Sequence, residues 1–239
     1  MTYTPTITLY QFQLCPFCHK VRAALELKGV DYTQIEVAPG RKRELPALPE
    51  DAPKKVPVLK IGEQVVWDST EILKLIDTLV PTGQPLAMLD EHGEINPEML
   101  EFEDWVDQQL MTSLPTVIYD SWGNSFKAAR ITATASNFNW RESLTVKIGG
   151  SIIMRMIAKK ILKRVGRTDG QSWFTECLDQ AEERLTDREF VMGSEPSIAD
   201  AALHGAFKCV EDFPVFQQMR QRPALASWFD RVQDLRSQR

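Results

Sequence analysis

From residue 6 the chain alternates apolar and polar positions with a period of two, and at residue 16 it shifts to helical spacing. Residues 6–12 read as a strand, and 16–28 as a helix with Pro16 in its first turn and Gly29 as its stop. Val21, Ala24 and Leu25 recur at helical intervals and would face a sheet. Tyr32 to Val37 alternates again as a strand, and a basic, proline-rich segment from Pro39 to Lys55 reads as a loop with a short helix. Two β-rich runs, Val56–Ile61 and Gln64–Trp67, meet at Gly62-Glu63, which is a hairpin signal. A helix then starts at Asp68-Ser69-Thr70-Glu71 and runs to about Leu79; Asp68 and Glu71 have capping-box spacing, with Ser69 as an alternative cap.

The order βαβ followed by ββα predicts a four-stranded mixed sheet covered by helices, an α/β thioredoxin-like domain over residues 1–80. Residues 81–97, rich in proline, glycine and acids, read as a linker. Beyond it nothing has the period of a strand. Helical patterns over 98–113, about 116–131, 144–165, 171–186, 197–210 and 223–236, punctuated by Pro115, Gly166, Pro214 and Pro223, predict an all-α domain over 98–239.

The 239 residues suffice for two small cores, and 43% hydrophobic with 26% charged content is that of an ordinary globular chain. A net charge of −5 argues against nucleic acid as a partner. The first residues lack a signal-peptide pattern, and no apolar run approaches the roughly 20 residues that span a bilayer, so a cytoplasmic setting is expected. Charge is unevenly spread: 127–167 holds ten Lys/Arg against Glu142 alone. Within it 144–165 reads as an amphipathic basic helix, with Ile152, Ile153, Met156 and Ile157 beside Lys159, Lys160 and Lys163. Packing by its apolar stripe is the plainer reading, and contact with an anionic membrane surface the sharper one.

Of four cysteines, Cys177 and Cys209 lie in helical sequence and read as buried core, whereas Cys15-Pro16-Phe17-Cys18 sits where the first strand hands over to the first helix. Four readings compete for this pair. A helix start offers unpaired amides to a thiolate at Cys15, and Cys18, one turn on, is placed to resolve a mixed disulfide. Zinc would need a second ligand pair, but His19, His92 and His204 are scattered, so no metal is expected. With His19 the motif is also C-x-x-C-H, the pattern of covalent haem attachment, which normally accompanies export. The fourth reading is two inert structural thiols. A helix dipole supplies about 0.3–1 kcal/mol, less than one pKa unit at about 1.36 kcal/mol, so a strongly acidic Cys15 needs direct hydrogen bonds or nearby cations such as Lys20 and Arg22.

Pro57 inside a strand-like run reads by default as a trans edge-strand proline, and Asp68-Ser69 at a helix start as a cap or an anion site. Together with the CxxC, these features resemble the glutathione transferase superfamily. The resemblance implies a cis Val56-Pro57 bond presenting backbone to the cysteinyl part of glutathione, and Asp68-Ser69 holding its γ-glutamyl end. Ser197-Ile198-Ala199-Asp200 is similar to the superfamily's structural capping box. A closer resemblance is to the second type of membrane-associated prostaglandin E synthase. It is carried by Leu9-Tyr10-Gln11 through the CxxC to Ala23, by Phe190-Val191-Met192-Gly193, Pro196 and Ala199-Asp200, and by the region around Trp105. That group has a tyrosine three positions before the first cysteine; here it is Phe12, which removes a phenolic donor.

These resemblances imply a glutathione-dependent thiol transferase or oxidoreductase, with Cys15 and Cys18 as the catalytic pair and Val56, Pro57, Asp68 and Ser69 binding glutathione. Phe12, Phe17 and Tyr119 are candidates for a pocket taking a small disulfide or hydrophobic substrate. The alternatives are isomerisation of a lipid endoperoxide and a non-enzymatic carrier of glutathione, haem or a hydrophobic ligand. Haem is admitted as a non-covalent ligand without being expected, and homodimerisation is common among such proteins.

Overall fold

In the computed structural model, residues 6–39, 42–90, 92–135 and 140–238 are described, without the side chains of 135, 140–149 and 151. The first unit is the expected mixed sheet. Strands β1 (Ile7–Gln11), β2 (Thr33–Glu36), β3 (Val58–Ile61) and β4 (Gln64–Trp67) lie in the order β2-β1-β3-β4. β1 and β2 are parallel, joined through helix α1 (Pro16–Leu27), and the other pairs are antiparallel. On β1 the strict alternation buries Ile7, Leu9 and Gln11 on one face.

Helix α1 buries Val21, Ala24, Leu25 and Leu27 as its spacing demands, each larger one worth about 1.5–3 kcal/mol. It also buries Lys20 completely, against its type. Pro16 occupies the first turn, and Gly29, with φ of 69°, follows the helix end as its left-handed residue. The helix predicted from Asp68 to Leu79 is two short ones, α2 (Ser69–Lys74) and α3 (Ile76–Leu79), broken at Leu75. The described residues between Pro39 and Lys55 hold turns and no helix, a correction in line with their prolines.

The second unit is helical throughout its described residues apart from isolated bridges. Helix α4 (Pro97–Trp105) runs into a π-helical segment, Val106–Met111, and on into α5 (Thr112–Ile118). Pro115 therefore lies inside a helix instead of ending one, and the break falls after Ile118. Helices α6 (Trp122–Ala135) and α7 (Trp140–Arg164) pack together, and α8 (Gly170–Leu185), α9 (Ile198–Lys208), α10 (Phe216–Arg220) and α11 (Pro223–Ser237) complete the layer. The basic helix predicted over 144–165 exists, although the side chains of 144–149 and 151 lie outside the described residues. Its packing differs from the plainer reading: Met154, Ala158, Ile161 and Leu162 face the core, while Ile152, Ile153, Met156 and Ile157 are exposed. Among the described residues no helix is long and apolar enough to cross a membrane.

The capping box is structural, as its pattern implied. Asp200 accepts from the Ser197 amide and hydroxyl at 3.0 and 2.8 Å, from the Val191 amide at 2.9 Å and from Trp228 Nε1 at 2.8 Å. Four donors hold this fully buried carboxylate, which is why it tolerates its site. Helix α9 then lies directly on α1. A Cβ at Gly205 would stand 2.4 Å from the Lys20 nitrogen and 2.6 Å from its Cα, backbone atoms that cannot turn aside. Arg236 of α11 fastens α1 from the other side, with Nε donating to Glu26 at 2.7 Å and Nη1 meeting His204 Nδ1 at 2.7 Å.

Gly205→Ala would gain about 1 kcal/mol of helix propensity but force α9 off α1. The overlap wins, and we expect a net loss of about 2–3 kcal/mol in a denaturant melt, against no loss for Ala at the exposed Gly123, where a Cβ meets nothing within 4 Å.

Candidate active site

Cys15 is the N-cap of α1, half-buried, with extended backbone at φ −91° and ψ 114°. Its amide donates to Phe12 O at 3.0 Å, and its carbonyl accepts from the Cys18 and His19 amides at 3.1 Å each. Cys18 is fully buried beneath it, and its sulfur accepts from the Phe12 amide at 3.4 Å. The Cys15 thiol is held below its ordinary pKa, first by a hydrogen bond from the Cys18 thiol and further by the Cys18 and Phe17 amides; burial and the charge of Asp107 oppose this. Cys18 moves the other way, well above the thiol range, through burial and the negative charge of its neighbour. Ionisation is thus eased at Cys15 and opposed at Cys18.

The cations offered by the sequence take no part in this. Lys20 is sealed in the interface, paired with Glu103, with Asp107 at 2.8 Å and with Thr70 Oγ1 at 3.3 Å. Arg22 stands 4.0 Å from Glu26. His19 turns back to Gln13 O at 2.8 Å, and burial lowers its pKa to about 3, so it is neutral. The correction has a simple cause: side chains on the first turns of α1 point toward the packed layer, while only the helix start faces outward.

Beside the thiols lies a cleft of about 380 Å³. Val56, Pro57, Asp68 and Ser69 all line it, with Phe17 on the cysteine side. The Val56-Pro57 bond is cis, contrary to the default for an isolated proline. Asp68 is the N-cap of α2 at φ 77°, and its Oδ1 accepts from the Thr70 amide at 2.9 Å and the Glu71 amide at 3.4 Å. Two amides that the sequence offered to an anion are therefore already taken. Glu71 does not complete a capping box; it pairs with Lys74 at 2.9 Å. Cys15 is not itself on the cleft wall, but Asp107, which is, acts on its charge.

The opposite wall was not legible in the sequence. Asp104, Asp107, Gln108 and Thr112 come from α4, the π-helical segment and α5, some 90 residues after the CxxC. The concentration of acids before residue 107 was the one available signal. Asp107 is pushed up to about 6, chiefly by burial, with Lys20 opposing and Glu103 and Asp104 adding to the rise. The three aromatic candidates for a second-substrate pocket do not share one. Phe17 lines the cleft, Phe12 a separate apolar cavity of about 280 Å³ with Val37, Pro39 and Leu45, and Tyr119 a third of about 220 Å³ with Arg155 and Leu162. A larger groove of about 570 Å³, lined by Glu98, Glu101, Glu183 and Arg184, holds none of the predicted residues. Among the described residues no cluster of His, Cys, Asp and Glu could hold a metal ion.

Comparison with known proteins places the chain in a family. Residues 9–85 match the family model described as glutathione S-transferase, N-terminal domain, and 174–235 match glutathione S-transferase, C-terminal domain. Prostaglandin E synthase 2 of Mus musculus is 25% identical over 271 residues, covering 95% of this chain and 69% of that protein. A probable glutathione S-transferase of Nicotiana tabacum is 39% identical over 71 residues, covering 30% and 32%. The fold is shared with the beta-etherase LigF of Sphingobium sp. strain SYK-6, at a TM-score of 0.64 and 19% identity over 98% of this chain and 100% of that one. It is also shared with a structure of glutathione S-transferase III in apo form, at a TM-score of 0.62 and 17% identity over 95% and 91%.

The ordering of causes at Cys15 yields a test in two variants. Cys18→Ala removes the largest stabiliser of the thiolate, so the pH midpoint for alkylation of Cys15 by iodoacetamide should rise by about one unit; Cys18→Ser keeps a donor and should hold most of the depression.

Proposed function

The chain belongs to the glutathione S-transferase family, and from that premise we propose that it is a glutathione-dependent thiol transferase with Cys15 as its nucleophile. The observation that carries this reading is the polarised thiol pair. A hydroxyl at a helix start can only stabilise the thiolate of glutathione for conjugation, whereas a thiolate of the protein's own attacks disulfides.

In the proposed cycle the Cys15 thiolate attacks the glutathione sulfur of a mixed disulfide R–S–S–G. A bond forms between Cys15 and that sulfur, and R–S⁻ departs and takes a proton from water. A second glutathione thiolate then attacks the bound glutathione sulfur, releasing oxidised glutathione and restoring the Cys15 thiolate. Two glutathione molecules are oxidised to one disulfide for each R–S–S–R′ reduced to thiols, counting the step that forms R–S–S–G. The cis Val56-Pro57 edge would receive the cysteinyl backbone, and Asp68 with Ser69 the γ-glutamyl end, in keeping with their common cleft.

The elevated pKa of Cys18 favours the one-thiol route. To resolve the mixed disulfide Cys18 must first lose its proton in a fully buried site, and that burial opposes its ionisation. Cys18 then serves the reaction as a hydrogen-bond donor to Cys15 more than as a second nucleophile.

A second reading draws support from the mouse relative's name: isomerisation of a lipid endoperoxide with glutathione bound. Phe12 offers no phenol, and it lines an apolar cavity and not the cleft beside the thiols. Incubation with the endoperoxide and glutathione decides it, since a prostaglandin E product formed in preference to disulfide reduction would favour this reading.

For the thiol-transfer reading, Cys15→Ser should lower reduction of a glutathionylated peptide by at least about a thousandfold, while Cys18→Ser should stay within about tenfold of the parent. Equal losses in the two variants would point to a dithiol cycle. Full retention in Cys15→Ser would remove the proposed nucleophile.

A further inference from the structure

Among the described residues nine large apolar side chains stand exposed, and six of them belong to α6 and α7. On α7 these are Ile152, Ile153, Met156, which is 65% exposed, and Ile157. At about 100° per residue they fill roughly 140° of the helix circumference. Met154, Ala158 and Ile161 occupy the other side and meet the core. Trp122, 61% exposed, and Phe126 stand one turn apart on α6. Arg155, the neighbour of Met156, lies over the Trp122 ring at 4.9 Å, which brings the apolar residues of the two helices into one region.

The same stripe turns basic within two turns. Lys160, Lys163 and Arg164 continue it along α7, and all three are exposed, as are Lys159 beside them and Arg130 on α6. Across 127–167 ten Lys/Arg stand against Glu142 alone, while the whole chain carries −5. The acids are therefore gathered elsewhere, many of them over 90–107. A molecule whose charge is divided in this way is turned by an anionic surface, basic part first.

We propose that this face of α6 and α7 docks on an anionic lipid bilayer, with α7 lying along the headgroups. An apolar stripe of this length binds a neutral surface weakly, and a basic patch alone is screened by salt; the two together hold. The three isoleucines and Met156 enter the acyl boundary, and the stems of Lys160 and Lys163 reach back to the lipid phosphates. Trp122 suits the same depth, with its ring in the boundary and its indole N–H toward water. Among the described residues no helix is long and apolar enough to cross the bilayer, so the contact is with its surface. A second copy is the poorer occupant: a two-fold contact through this face would set Lys160, Lys163 and Arg164 against their own equivalents.

The test is co-sedimentation of the full chain with vesicles of phosphatidylcholine alone and of phosphatidylcholine mixed equally with phosphatidylglycerol. Partition onto the mixed vesicles should be at least about tenfold stronger at about 0.1 M salt, and should fall about tenfold at about 0.5 M. Lys160→Glu should weaken it by at least about fivefold, against less than about twofold for Lys54→Glu, an exposed lysine outside the face that changes net charge equally. Met156→Ser should weaken it about fivefold through lost apolar burial. All three side chains are exposed, which keeps the stability of the fold out of the comparison. No sedimentation with the mixed vesicles, equal partition onto both kinds, or equal losses in Lys160→Glu and Lys54→Glu overturns the proposal. So does a wild type that is a dimer in the ultracentrifuge and that Met156→Ser converts to monomer, since a second copy then covers the face.

Discussion

The buried ammonium of Lys20 is the constraint on which the rest of the molecule turns. An amine with no exposure must be answered by acids or it destabilises the fold by several kcal/mol. Its partners, Glu103 and Asp107, come from the other unit, so this single requirement sets how the helical layer sits against the sheet. Gly205 enforces the same placement sterically by letting α9 touch the backbone of α1, and Arg236 does so from a third side. Helix α1 is thereby covered along most of its length, with Cys15 half-buried at its start.

That arrangement carries an electrostatic cost for the thiol. Asp107, needed to neutralise Lys20, raises the pKa of Cys15, while the hydrogen bond from Cys18 and the amides of the first turn lower it by more. The dominant stabiliser is thus local and short-range, and it is bought at the expense of Cys18, whose own proton becomes hard to remove. One sulfur is made easier to ionise by making the other harder. The same withdrawn acid that opposes the thiolate also gives the cleft its sign.

Between the two family matches lies a segment that neither covers, residues 86–173. It includes the π-helical wall of the cleft and the α6–α7 pair, whose exposed Trp122, Phe126, Ile152, Ile153, Met156 and Ile157 lie among basic residues. Arg155 bridges the two helices by donating to Asp120 O at 2.5 Å and lying over the Trp122 ring. The segment outside both matches thus holds part of the acidic cleft wall.

Local patterns were enough to determine the four strands of a mixed sheet, the helix starting at the CxxC, the all-helical second half and the capping box at Ser197–Asp200, because periodicity and capping act over a few residues. They also marked Val56, Pro57, Asp68 and Ser69, which the fold gathers into one cleft. The cis state of Pro57 came from resemblance and not from the residues, since a lone proline favours trans. The helix break at Leu75 went unread, and the break after Ile118 was expected at Pro115, which the chain instead carries within α5 after the π-helical turn. Only tertiary structure decided that Lys20 is buried, that Phe12, Phe17 and Tyr119 line three different cavities, and that Asp107 lines the same cleft as Ser69. Each of these depends on burial and on groups far apart in the chain, which periodicity over a few residues does not report.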